Sequence, residues 1–246
     1  MPTKSPMAEI QSVAFDLEGT IVDVEYAHHE GHRLAAQDVG VILSSEDCFR
    51  RIPHFIGGPD DQVAREIAEI AGAEKSALVD YQEVLASDRA HYARLLQELP
   101  IQPRNGFLDF FQSVKEQGLK YTIGSLTNED QARLLLEKSG LDTLFGYRNV
   151  VLREHVQRVK PAPDVWIETA KRASVNPDAQ LVFEDSPRGI QGALEVGAYC
   201  IGMPVYNRLD VVTALVSAGA KRVFMQWDEI NAHNLLNNVN LERSCR

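Results

Sequence analysis

Apolar and polar positions along the chain fall into two regimes. In one, short, mainly apolar runs alternate with amphipathic stretches. The runs are Ile10–Phe15, Leu119–Ile123, Asn149–Leu152, Leu181–Phe183, Ala198–Met203 and Arg222–Met225. Runs this short and mainly apolar predict buried strands, as in a parallel sheet. The stretches between them predict helices. Asn128-Glu129-Asp130 offers a cap residue and an acidic first turn, and Gly140 follows the helix end. Ser186 reads as the cap of a helix beginning near Pro187, and Pro161 and Pro187 both stand where a helix's first turn tolerates proline. Strand and helix in alternation predict an α/β fold, a parallel sheet with helices on both faces.

The second regime runs from Val24 to Pro103 and contains no convincing strand. Val63, Ile67, Ile70 and Ala71 share one helical face, and Leu78 to Leu99 also reads as helix. This block interrupts the alternation, which predicts an α/β core from residues 1–23 and 104–246 with an inserted α-helical cap at 24–103. Asp23-Val24 and Pro103-Arg104-Asn105-Gly106 are the expected hinges. Asn237 to Arg246 is polar and is expected to fray.

Composition narrows the function. The chain has 246 residues, 44% hydrophobic and 24% charged, with a net charge of −10. That balance, with no Lys/Arg run, excludes a nucleic-acid footprint. It also repels anions at long range, so a phosphate site needs local positive charge. No apolar run reaches the length of a membrane span. Met1 to Pro6 is polar with no apolar stretch after it, so no signal peptide is expected. Cys48, Cys200 and Cys245 have no metal-ligand spacing, and a reduced, cytoplasmic protein is the expectation. Monomer and homodimer both stay open.

The first apolar run ends at Asp16, and Glu18 follows two residues on. Both carboxylates leave the strand end on one side, where open α/β sheets bind ligands. Gly19 lets the backbone turn sharply beside them. Two acids at one mouth suit Mg²⁺ with nucleophilic and acid–base chemistry. Downstream come Leu119 to Ser125, a run ending in a hydroxyl, then Lys160-Pro161-Ala162-Pro163-Asp164, then Leu181-Val182-Phe183-Glu184-Asp185-Ser186 with Gly189. In this order the four segments resemble motifs I to IV of the haloacid dehalogenase superfamily, and within it the β-phosphoglucomutase and sugar-phosphate phosphatase group. Glu18 stands where the usual pattern Asp-x-Asp-Gly-Thr has its second Asp.

The resemblance implies a Rossmann-like core, Mg²⁺ and a small phosphorylated metabolite as substrate. It implies Asp16 as nucleophile, forming an aspartyl-phosphate, and Glu18 as general acid/base whose backbone carbonyl also meets the metal. Ser125 would bind a phosphoryl oxygen, with Thr127 and Asn128 nearby as polar alternates or, the stronger reading, as helix-capping residues. Lys160 would neutralise phosphoryl charge and hold Asp16. Asp185 would bind the metal directly and Glu184 through water. Glu is one methylene longer than Asp. Either the backbone accommodates the longer arm, or activity is impaired, or the phosphoenzyme lives longer.

In the expected cap, His28 matches a substrate-side position of the group, while His28, His29 and His32 also fit an exposed helix face. His28 and His32 have the i, i+4 spacing of a metal pair, with no third ligand evident from sequence. Ile56-Gly57-Gly58-Pro59-Asp60 resembles the group's specificity loop, but Ile56 and Asp60 stand where mutases carry cations. That weighs toward a phosphatase over a phosphosugar mutase, unless Arg50 or Arg51 compensates. Arg153, His155 and Arg158 are either site-reaching cations or a solvated loop. A degenerate, non-catalytic phosphate binder is the third reading, motivated by Glu18.

Overall fold

The structure is a computed structural model and describes residues 9–56 and 58–245. The leader reading at Met1 to Pro6, Gly57 of the loop and Arg246 lie outside the described residues. The chain divides into two compact units. One takes in the chain up to Asp23 and from Ile101 onward, and the other is Val24–Pro100.

In chain order, β1 (Ser12–Phe15) is followed by the helices of Val24–Pro100: α1 (Glu25–Asp38), α2 (Ser45–Arg51), α3 (Asp60–Lys75) and α4 (Tyr81–Glu98). Next come α5 (Phe107–Glu116), β2 (Lys120–Gly124), α6 (Glu129–Ser139), α7 (Leu141–Phe145) and β3 (Val150–Val151). The chain closes with α8 (Asp164–Ala173), β4 (Gln180–Glu184), α9 (Pro187–Glu195), β5 (Tyr199–Gly202), α10 (Leu209–Ala218), β6 (Arg222–Val223) and α11 (Ala232–Ser244).

The strands form one sheet in the order β3-β2-β1-β4-β5-β6, and each neighbouring pair is parallel. β1 is central and fully buried, which explains the apolar run Val13-Ala14-Phe15. Its side chains alternate between two cores. On one face Phe15 meets Phe107 at 5.4 Å, Phe183 at 5.6 Å and Trp227 at 5.8 Å between ring centroids. On the other, Ala14 and Val182 belong to a cluster with Trp166, Ile190 and Leu215, from α8, α9 and α10. The α/β class, with helices over both faces, is therefore as expected. β3 and β6 are shorter than their apolar runs, two residues each.

Two other expectations are corrected. Pro187 does sit in the first turn of α9, but Pro161 lies in the loop before α8, whose N-cap is Pro163. The segment expected to fray is helical over the described residues: α11 runs to Ser244 and buries Leu235, Leu236, Val239 and Arg243. These positions make a narrow helical stripe among many asparagines, which is why the segment reads as polar. Arg243 donates to the Asp178 carbonyl at 2.5 Å, and the Ile10 amide donates to Asn240 at 2.9 Å, so the stripe is tied to the sheet side.

Arg104, 8% exposed, organises the carboxyl-end loops. Its guanidinium donates to the carbonyls of Gly19 (2.6 Å), Met203 (2.9 Å), Pro204 (3.1 Å) and Met225 (2.6 Å). Burial pulls its pKa down, while Asp185, Asp23 and Glu229 push it up. Its planar fork matches four fixed acceptors in a way that a lysine cannot. Arg104→Met is expected to leave buried carbonyls without donors and to cost about 3 kcal/mol, read as a lower urea midpoint at unchanged slope.

The Val24–Pro100 unit has its own core. Ala35, Ala36, Val41, Leu43, Cys48, Ile52, Val63, Ile67, Ala71 and Val84 are buried together, with Ile56 and Ile70 packed against them. α2 begins with a reciprocal cap between Ser44 and Asp47, and α4 with an Asp80 cap. Among the described residues no helix is long and apolar enough to cross a membrane.

Candidate active site

Strand register brings the site together. Phe15 lies opposite both Ile123 and Phe183, so one residue further on Asp16, Gly124 and Glu184 stand side by side at the carboxyl end of the sheet. The Asp16 amide extends the ladder by donating to the Phe183 carbonyl at 2.9 Å. Lys160 enters from the loop before α8. Its Nζ donates to Asp16 Oδ1 at 2.5 Å and to Glu184 Oε2 at 2.7 Å, and lies 4.8 Å from the Trp166 ring centroid. Arg188 in turn donates to the Lys160 carbonyl. Asp16, Lys160 and Glu184 are all buried.

The remaining carboxylates close the mouth. Thr20 donates to Asp185 Oδ1 at 3.3 Å. Gly19 has φ 78°, and a Cβ on it would run into the Asp185 carboxylate, so glycine is needed there twice over. Gly189 likewise leaves room for the Glu184 carboxylate. Ser186 caps α9 and also donates to Glu184 Oε1 through its amide (3.0 Å) and hydroxyl (2.7 Å). Both oxygens of Glu184 are thus engaged by protein groups.

Electrostatics at the mouth are unbalanced. Burial raises the Asp16 pKa to about 8; Lys160 opposes the rise, and the charges of Glu184 and Glu18 add to it. Burial disfavours the Lys160 ammonium, but Asp16 and Glu184 outweigh it and hold the amine above the ordinary lysine range. One ammonium bridges two buried carboxylates while Asp185 stands beside them. Single oxygens of Asp16, Glu184 and Asp185 come within 4.8 Å of one another. An all-oxygen donor set with surplus negative charge fits Mg²⁺.

Glu18 accepts a hydrogen bond from Thr127 Oγ1, and Thr127 is 2.7 Å from Ser125 Oγ. The longer arm of Glu18 thus has a defined partner. This corrects the reading of Thr127 as a capping neighbour. Asn128 is the N-cap of α6, its side chain accepting from the Gln131 amide, while Thr127 spans the gap between Ser125 and Glu18. The spacing Ser-x-Thr at the end of β2 is the signal that could have revealed it, since i and i+2 share a side. If Glu18 is the acid/base group that the sequence implies, Thr127→Val is expected to lower kcat about tenfold with KM little changed, because that group loses its orientation. Paired with Glu18→Asp, the two effects should be non-additive, as measured by a double-mutant cycle.

The structure brings Asp16, Glu18, Ser125, Lys160, Glu184 and Asp185 into this one region. Three other candidates of the same unit go elsewhere. Arg158 pairs with Asp164 at 2.6 Å, His155 Nδ1 accepts from the Leu152 amide at 2.9 Å, and Arg153 donates to the Val156 carbonyl at 2.9 Å, so the three build their own loop. In the Val24–Pro100 unit Arg50 pairs with Asp47 and Arg51 with Glu74. His28 is half-buried there, its ring stacked on Tyr92 at 3.8 Å. His32 is not on an exposed face: it is buried, with Nδ1 2.9 Å from Asp88 Oδ1.

Comparison with known proteins agrees with this architecture. Residues 13–203 match the haloacid dehalogenase-like hydrolase family, and the chain belongs to that family. It is 27% identical over 215 residues to a phosphorylated carbohydrates phosphatase of Thermotoga maritima, covering 86% of this chain and 92% of that protein. It is 28% identical over 183 residues to a fructose-1-phosphate phosphatase of Escherichia coli, covering 74% and 90% of the two chains. Among solved structures, a haloacid dehalogenase hydrolase of Entamoeba histolytica superimposes with TM-score 0.77 at 20% identity, covering 93% of this chain and 98% of that one.

Proposed function

We propose that this protein is a Mg²⁺-dependent phosphatase of small phosphomonoesters, sugar phosphates among them, working through an aspartyl-phosphate on Asp16. The observation that carries the reading is the buried Lys160 bridge between Asp16 and Glu184, with Asp185 alongside. The names of the two phosphatase relatives support the substrate class. Val24–Pro100 is assigned as the cap. The cysteines are free, which fits a reducing, cytoplasmic setting.

Asp16, Asp185 and the Glu18 carbonyl would hold the Mg²⁺. Glu184, with its oxygens held by Lys160 and Ser186, would act through water. Bound there, the ion would neutralise charge on the phosphoryl oxygens. In the first displacement an Asp16 oxygen attacks phosphorus in line, the P–O ester bond breaks, and protonated Glu18 gives its proton to the leaving alkoxide. In the second, ionised Glu18 takes a proton from water, which attacks phosphorus and breaks the bond to Asp16. Lys160 and Ser125 stabilise the transferring group, and Lys160 keeps Asp16 aimed.

The test is phosphate release from a panel of sugar phosphates and p-nitrophenyl phosphate. Turnover that needs Mg²⁺ and stops in EDTA is expected. No turnover on any ester with Mg²⁺ binding intact would overturn the enzyme reading.

A further inference from the structure

We propose that the Val24–Pro100 unit carries a second metal site, built from His28, His32 and Asp60, for a divalent transition ion of the zinc class. Ligand atoms from these three side chains come within 4.8 Å of one another. The third ligand, missing from the sequence reading, is the first residue of α3, brought beside α1 by the packing of the unit. His28 and His32 lie one helical turn apart on α1, so both rings project from one face.

The surroundings are those of a metal-ligating histidine. His32 is 4% exposed and its Nδ1 is tied to Asp88, itself buried on α4. A carboxylate on Nδ1 fixes the tautomer, orients the ring and leaves Nε2 to meet an ion. Gly31 makes that arrangement possible: a Cβ there would come 3.1 Å from Asp88 Oδ1 and 3.4 Å from the Tyr92 amide nitrogen. The His28 ring is held by its stack on Tyr92. Thus two imidazoles are oriented before any ion arrives.

Two imidazoles and one carboxylate select the metal. Imidazole nitrogen suits Zn²⁺, Co²⁺, Ni²⁺ and Fe²⁺, whereas Mg²⁺ prefers oxygen donors. In a tetrahedral zinc site, bonds of about 2.0–2.2 Å put ligand atoms roughly 3.4 Å apart. From separations of up to 4.8 Å the three ligand atoms need to draw in by at most about 1.4 Å, a closure that falls mainly to the Asp60 side chain. A three-ligand set also leaves a position for water or an anionic oxygen.

The test uses the full chain in excess Mg²⁺, which occupies the carboxylate mouth of the other unit. Co²⁺ is titrated in and its visible bands followed, then Zn²⁺ is added to displace it. One equivalent of Co²⁺ with bands characteristic of nitrogen ligation is expected. Asp88→Asn should weaken binding about 10–100-fold. Asp60→Asn should weaken it at least about tenfold and alter the bands, and Asp185→Asn should leave them unchanged. His32→Gln should abolish them; should that variant fail to fold, Asp60→Asn, at the half-buried start of α3, carries the test alone. No bands in the wild-type chain, bands unaltered by Asp60→Asn, or bands lost in Asp185→Asn would each overturn the proposal.

Discussion

Asp16→Asn is expected to remove turnover, by at least about 10⁴-fold in kcat, while leaving a protein that folds at least as well. An amide cannot supply the attacking oxygen, so no phosphoenzyme forms. Stability should move the other way in the absence of metal. In the wild-type chain one ammonium, Lys160, faces two buried carboxylates. Replacing Asp16 leaves Lys160 paired one to one with Glu184. Burial raises the Asp16 pKa from 3.8 to about 8, so the native state resists ionising a group that the unfolded chain ionises readily. A raised acid stabilises the fold below pH 3.8 and loses that contribution progressively up to about pH 8. Asn is neutral throughout, so the metal-free variant should gain on the wild type across this window. Urea unfolding in EDTA at pH 5 and pH 8 checks it. A variant that keeps full activity would remove the phosphoaspartate mechanism.

Lys160→Ala is expected to damage both activity and stability. It removes the cation that compensates Asp16 and Glu184, and truncating one partner of a buried pair costs about 3–5 kcal/mol. On the proposed mechanism it also removes a positive donor to the phosphoryl group, worth about 10²–10³-fold in kcat. Two treatments should restore part of the lost stability. Mg²⁺ supplies positive charge to the same carboxylates, and acid protonates them. The unfolding midpoint of the variant should therefore rise with Mg²⁺ and with falling pH more than that of the wild type. Equal responses in the two proteins would show that Lys160 is not the compensating charge.

The strands and the site at their ends were readable because both rest on short-range pattern. β1, β2 and β4 lie on mainly apolar runs, and Asp16, Ser125 and Glu184 follow or close them in register. What escaped depends on which distant segments meet. Thr127 stands next to a helix cap, and its bond to Glu18 spans 109 residues. Arg104 looks like a hinge residue, since its four carbonyl acceptors come from loops the sequence does not juxtapose. Asp60 and Asp88 fall on other helices than His28 and His32, so a histidine pair on α1 looks incomplete. The stripe of α11 is narrow and asparagine-rich, and the loss of chain entropy on ordering it is offset by the sheet-side contacts of Arg243 and Asn240, which no local pattern encodes.

The Arg104 staple has a consequence for the order in which the site is completed. Every residue assigned to chemistry lies before Ser186, yet Met203, Pro204 and Met225 provide three of the four carbonyls that hold the Arg104 guanidinium against Gly19. Trp227 adds a further tie, donating to the Thr20 carbonyl at 3.1 Å. A chain emerging from the ribosome therefore carries every side chain assigned to chemistry well before the loop bearing Glu18 and Gly19 has all of its anchors. The loop after Asp16 gains its last ties when the final strand arrives, which makes the C-terminal fifth of the chain a checkpoint on the completion of its N-terminal motif.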